Sequence, residues 1–209
     1  MEARMKTLFA PGCALKKYKP ELIDRMTRFL QERGLIDGLW DPCCKSGEHV
    51  PEGTTLIVCC PGCSHHFGEE NQGISIVSLW KVLLGTDFPF PDYHGEKMSI
   101  HDACHARHRH SPEMQVSARQ LCEKMHIDLV EPDLTRDEAR CCGGSSPDLE
   151  ERIAMAHLRA ADFSESSVVV YCTGCTRSFS VTSVAPRHLL DLLFEETTQG
   201  LYPPGYPCT

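Results

Sequence analysis

Cysteines recur in one fixed order twice along this chain, and that order constrains the fold more than any other feature. A lone cysteine closes FAPGC at Cys13, a vicinal pair closes DPCC at Cys43 and Cys44, and a CxxC follows inside LIVCCPGCSHHF at Cys60 and Cys63. The same order returns with IHDAC at Cys104, EARCC at Cys141 and Cys142, and VVVYCTGCTRSF at Cys172 and Cys175. Phe67 and Phe179 fall at the same offset after their CxxC, and apolar helical patterns, SLWKVLL at 78–84 and RHLLDLLF at 187–194, close each half. The expectation is two related lobes over 1–90 and 91–200, joined around FPFPDYHGE, with a mobile tail over 201–209.

Thirteen cysteines in 209 residues leave three ways to hold so many thiols: disulfides, zinc or iron. A chain of this length buries a real core and needs no staples, unlike small secreted scaffolds. An odd count also leaves at least one thiol unpaired in any all-disulfide scheme. MEARMKTLFA lacks the apolar run of a secretory signal, and no stretch approaches the length of a membrane span. A reducing cytoplasmic setting is the expectation. The formal net charge of −8 argues against a nucleic-acid partner, whose binding rests on Lys and Arg neutralising phosphates. The basic run LKKYK at 15–19 reads as a solvated helix start.

TTLIV and SSVVVY are short β-branched runs of the kind buried in parallel sheets, and each leads directly into a CxxC. That makes each CxxC a strand-to-helix turn. Helical spacing of Leu22, Ile23, Met26, Phe29 and Leu30 predicts a helix in the first half. Met114, Ala118, Leu121, Cys122 and Met125 predict its counterpart, and 148–163 predicts a further helix with Ile153, Ala156, Ala160 and Phe163 on one face. The fold class is α/β, with two pseudo-symmetric lobes that each hold a small, mainly parallel sheet flanked by helices. Sites on such sheets gather at the carboxyl ends of the strands, where the motif cysteines fall.

Five thiols per half cannot meet as five bare thiolates, because uncompensated charge in a low-dielectric pocket is very unfavourable. A CxxC at a helix start favours thiolate, and zinc or iron would supply the cation. Zinc closes a structural shell with four ligands, and a cubane cluster also takes four, so five is one too many for either. Vicinal cysteines suit an extended core in which neighbouring thiolates reach different metal atoms.

The second half, from Cys104 through Cys141-Cys142-Gly143 to Cys172-Thr173-Gly174-Cys175, resembles the cysteine-rich CCG domain. That domain occurs in tandem in the disulfide-cleaving subunit of heterodisulfide reductase and in iron–sulfur subunits of glycolate and lactate oxidation systems. The resemblance covers nearly the whole chain. It implies that each complete motif holds a noncubane 4Fe-4S cluster, which in the reductase binds and cleaves a disulfide with electrons from a ferredoxin-like partner. Cys104, Cys141, Cys142, Cys172 and Cys175 would ligate one cluster. Cys13, Cys43, Cys44, Cys60 and Cys63 would hold a second cluster or, as in some relatives, zinc.

The first half departs from the motif. Lys45 stands where the family has glycine, and only fifteen residues separate Cys44 from Cys60, against twenty-nine from Cys142 to Cys172. Glycine permits positive φ and lets backbone approach a bulky core, so Lys45 implies a differently shaped pocket. Cys59 and Cys122 read as core cysteines. His101, His105, His108 and His110 flank Cys104 together with Arg107 and Arg109. His101, His105 and Arg107 are candidates to contact an anionic substrate or supply protons; the alternative is a polar, solvent-facing loop. His65 and His66 are alternative zinc ligands.

Two functions from different classes remain open: an iron–sulfur oxidoreductase for disulfide reduction or electron transfer, and a zinc-stabilised, non-catalytic binding module. A metal-free thiol oxidoreductase on Cys172 and Cys175 ranks third, since it has no need of the vicinal pair. The chain has no Gly-rich nucleotide fingerprint, so the redox reading implies an electron-carrying partner.

Overall fold

The computed structural model describes residues 5–109, 111 and 113–199; Cys208, His110 and the tail over 201–209 lie outside the described residues. The first lobe runs β1 (Thr7–Ala10), α1 (Cys13–Tyr18), α2 (Pro20–Glu32), β2 (Gly38–Leu39), β3 (Thr55–Val58), α3 (Pro61–Glu70), β4 (Ser75–Ser78) and α4 (Leu79–Leu84). The second runs β5 (Lys97–Ile100), α5 (Met114–Lys124), β6 (Asp128–Val130), α6 (Leu149–Ala160), β7 (Ser167–Val170), α7 (Thr173–Phe179), β8 (Ala185–His188) and α8 (Leu189–Leu193). Each lobe holds a four-stranded sheet with every pairing parallel, in the orders β2-β1-β3-β4 and β6-β5-β7-β8. The two orders are the same arrangement, so the duplicated cysteine pattern corresponds to a duplicated topology.

Burial explains the strand sequences. Leu56 to Val58 and Val168 to Val170 are covered on both faces, which is why they read as continuous apolar runs rather than alternating ones. The stripe Leu22, Ile23, Met26 and Leu30 faces the core from α2, and Met114, Ala118, Leu121 and Cys122 do so from α5. The last helix of each lobe is capped in the same way: Ser78 accepts the Trp80 N–H, and His188 accepts the Leu190 N–H at 3.2 Å.

Helix α6 differs from its expected face. Ile153 is exposed, and Phe163 lies beyond the helix end; the buried face is Ala156, Arg159 and Ala160. Arg159 is fully buried with two of its nitrogens engaged: Nε donates to His101 Nδ1 at 3.2 Å, and Nη1 donates to the Leu134 carbonyl and to Asp162, both at 2.9 Å, while Nη2 has no hydrogen-bond partner and the guanidinium lies over the Phe163 ring.

The lobes face each other across an approximate twofold. Helix α4 packs on α5, and α8 reciprocally meets the start of α2, where the Arg25 guanidinium lies over the Phe194 ring. An ion pair accompanies each contact. Lys19, the residue before α2, meets Asp191 of α8 at 3.1 Å, and Glu113, the residue before α5, meets Lys81 of α4 at 3.6 Å with the charges exchanged. The first pair is buried and the second is half exposed. Lys19 is thus no solvated helix start: Tyr18 also donates to Asp191 at 2.9 Å, and the Lys19 ammonium reaches the Thr197 carbonyl at 2.8 Å.

Candidate metal centre

The topology concentrates sulfur at one place. In each sheet the strand order reverses between the two central parallel strands, β1 and β3 or β5 and β7, and the crevice beyond their carboxyl ends is where α/β sheets bind ligands. Cys13 and Cys104 follow β1 and β5 by a few residues. Cys60 and Cys172 are the N-cap residues of α3 and α7, with Cys63 and Cys175 in the first helical turn. The vicinal pairs come in on loops.

Ten sulfurs gather so closely that each hydrogen-bonds another or shifts its pKa. In the first lobe Cys43 lies 3.3 Å from Cys13, Cys44 meets Cys63, and Cys63 meets Cys60. In the second, Cys104 meets Cys141, Cys141 meets Cys142, Cys142 lies 3.2 Å from Cys175, and Cys175 meets Cys172. Cys60 and Cys172, one from each lobe, are near enough to shift each other's pKa. All ten line a single cavity of about 430 Å³ between the two sheets, with Lys17, Lys45, His66 and His105 also on its wall. None of the described cysteines is in a disulfide.

Protons are shared unequally among these sulfurs. Hydrogen bonds from the Cys104 and Cys142 thiols, with the Gly143 N–H at 3.3 Å, hold Cys141 far below the ordinary thiol range. Cys104 and Cys142 are correspondingly pushed up, Cys142 to about 12, because they keep the protons that Cys141 has lost. In the first lobe the Cys63 thiol brings Cys44 down to about 7, and Cys172 and Cys63 together lower Cys60. The amino ends of α3 and α7 add positive potential at Cys60 and Cys172. A row of donors already partly ionised, converging from two lobes on one cavity, fits a metal-binding role.

No protein-family model matches the chain, and no curated protein matches it. The centre is accordingly characterised by its own geometry.

The histidines divide. His101 is fully buried and stands behind Cys142 and Cys175, with one ring nitrogen within 4.8 Å of both sulfurs. Burial, then the Arg159 charge, pulls its pKa down to about 3, so the ring is neutral; Nδ1 accepts from Arg159, which leaves the proton on Nε2. His101, expected as a substrate contact, is not among the residues that line the cavity. Arg107 does not line the cavity either, because its guanidinium holds the Ala139 carbonyl just ahead of the vicinal pair. His105 does line it, with Nδ1 at 3.5 Å from Cys104 Sγ. Sequence reasoning passed over Asp102, whose carboxylate takes two hydrogen bonds from Arg119 at 2.9 and 2.8 Å and one from Tyr171 at 2.8 Å, fixing the strand end that carries Cys104. Its position next to Cys104 gave no sign of that network, whose partners come from distant segments.

The glycine difference between lobes has a local cause. Gly143 adopts φ +77°, and a Cβ there would meet the Arg152 carbonyl at 2.8 Å and Met155 Cβ at 2.9 Å, both on α6. The close approach is to a helix, not to the cavity. The shorter connection of the first lobe holds no such helix, and Lys45 is exposed there. Cys59 is fully buried with its sulfur 3.8 Å from the Pro11 carbonyl, and Cys122 is fully buried on α5; neither lines the cavity.

Proposed function

We propose that the chain is an iron–sulfur redox protein similar in kind to the disulfide-cleaving subunit of heterodisulfide reductase, holding one or two noncubane 4Fe-4S clusters. The observation that carries this reading is the single cavity of about 430 Å³ walled by both five-cysteine sets. A structural zinc sits at a point enclosed by four ligands and needs no cavity, whereas a polynuclear core needs volume in front of its thiolates. Backbone has been cleared beside them: Gly12 has φ +85°, and a Cβ there would lie 3.0 Å from Cys63 Sγ.

Cys104, Cys141, Cys142, Cys172 and Cys175 would hold one cluster, and Cys13, Cys43, Cys44, Cys60 and Cys63 a second. Such a group supplies electrons and an iron able to capture a substrate sulfur. The chain's own residues set the conditions around it. Lys17 and Lys45 on the cavity wall offset the negative charge of many thiolates, and His101, buried beside Cys142 and Cys175 with Nε2 without a hydrogen-bond partner, would donate to sulfur from the buried side, a bond that raises a cluster's reduction potential. The electron donor would be a separate ferredoxin-like protein, and the substrate class is a disulfide.

Anaerobic purification followed by assay of iron, acid-labile sulfide and zinc tests the reading. About four irons per chain with matching sulfide means one loaded lobe, and about eight means two. Zinc without sulfide contradicts the proposal and favours the binding module.

A further inference from the structure

A second group of ligand-bearing side chains lies at the rim of the cavity and contains no sulfur. His65 comes from α3 of the first lobe, while His105 and His108 come from the short 3-10 turn at Cys104–Arg107 and the residue after it. One nitrogen of each ring lies within 4.8 Å of the others. The His65 and His108 rings stack at 4.1 Å between centroids and 20° between planes, and His105 sits 5.3 and 5.5 Å from them.

We propose that His65, His105 and His108 form a mononuclear site for a divalent transition metal of the zinc class, bridging the two lobes and separate from the ten thiols. Three imidazoles with an open further position are a ligand set that zinc accepts, and nitrogen donors suit zinc, copper and nickel. A tetrahedral shell with Zn–N near 2.1 Å brings nitrogens to roughly 3.4 Å from one another, so the trio must contract from its present spacing. Stacked rings do not aim their nitrogens at one point, so binding the ion requires the exposed His108 ring to turn out of its stack on His65. His105 fits on both sides: with Nε2 on the ion, Nδ1 carries the proton and donates toward Cys104 Sγ, 3.5 Å away. The ion would tie α3 to the turn that carries Cys104, and it would strengthen a hydrogen bond to one of the thiol ligands.

The site does not depend on what the thiols hold, and the test keeps the two apart. Full-length protein, purified anaerobically with whatever metal its thiols carry, is dialysed against micromolar zinc chloride and analysed for zinc, iron and sulfide, beside His108→Ala and the double variant His65→Ala/His108→Ala. The expected result is one zinc per wild-type chain beyond the starting content, bound roughly tenfold or more weakly in His108→Ala and lost in the double variant, with iron and sulfide unchanged in all three. Because His108 is exposed, the single variant keeps its fold and the comparison stands even if the double variant is unstable. Equal zinc uptake in wild type and His108→Ala, no uptake at all, or uptake matched by loss of iron would overturn the proposal, the first two meaning an imidazole stack only and the last an ion bound by thiols.

Discussion

His188 illustrates how one buried side chain makes stability depend on pH. Burial, first of all, holds its pKa below the ordinary value, with Lys19 acting in the same direction and Asp191 and Cys172 opposing. Its neutral Nδ1 caps α8. The folded pKa is depressed, so the unfolded chain binds the extra proton. This contribution is fully present above about pH 6.5 and falls as pH drops, by up to about 1.4 kcal/mol per pH unit. His188→Asn keeps a cap without the titration, so unfolding in urea at pH 7.5 and 5.5 should show a smaller acid loss for the variant than for wild type, by roughly 1 kcal/mol. Equal losses would assign the acid sensitivity elsewhere. Cysteine substitutions separate ligands from packing at the same scale. Cys142→Ser removes a sulfur from the cavity wall and should strip its lobe of metal, whereas Cys122→Ser lies in the α5 core and should leave metal content intact while lowering stability. Metal analysis of the two variants checks both outcomes.

At the level of elements, Gly143 and Lys45 occupy equivalent places with different neighbours. Gly143→Ala forces a left-handed residue to carry a Cβ and drives it into α6, which should cost about 2 kcal/mol or more. Lys45→Gly in the first lobe should stay within about 0.5 kcal/mol. Thermal unfolding of both variants gives the comparison, and similar losses would show that the glycine serves the cavity after all. The sequence made the α/β class, the strands entering each CxxC and the inner faces of α2 and α5 legible, because those features are local: short β-branched runs and helical spacing are complete within a few residues. It made the two cysteine sets legible because duplication exposed them. It did not reveal that the sets share one cavity, since bringing Cys60 and Cys172 to the same wall depends on lobe docking that no local pattern encodes. Arg159 on the buried face of α6 was hidden because, although its counter-charge Asp162 lies only three residues on, the neutral acceptors that complete its burial, His101 and the Leu134 carbonyl, lie far away in sequence.

Over the whole molecule, two ion pairs related by the approximate twofold differ in surroundings and should differ in energy. Removing Asp191 from the buried pair leaves Lys19 only the half-exposed Glu196 carboxylate at 3.6 Å and the Thr197 carbonyl, so Asp191→Ala should cost about 3 kcal/mol. Lys81→Ala breaks the exposed counterpart and should cost no more than about 1 kcal/mol. Urea unfolding of the two variants, with equal effects as the contrary outcome, tests whether the lobes are fastened mainly on the α2 and α8 side. The docking matters because it makes one compartment from two cysteine sets, and the central claim is that this compartment encloses a polynuclear iron centre. Anomalous diffraction at the iron and zinc edges, from crystals grown without oxygen, tests that claim most directly. Clustered iron peaks inside the cavity, bounded by Cys104, Cys141, Cys142, Cys172 and Cys175, are the expected result. Solitary zinc peaks at the cysteines, or no iron between the lobes, would contradict it.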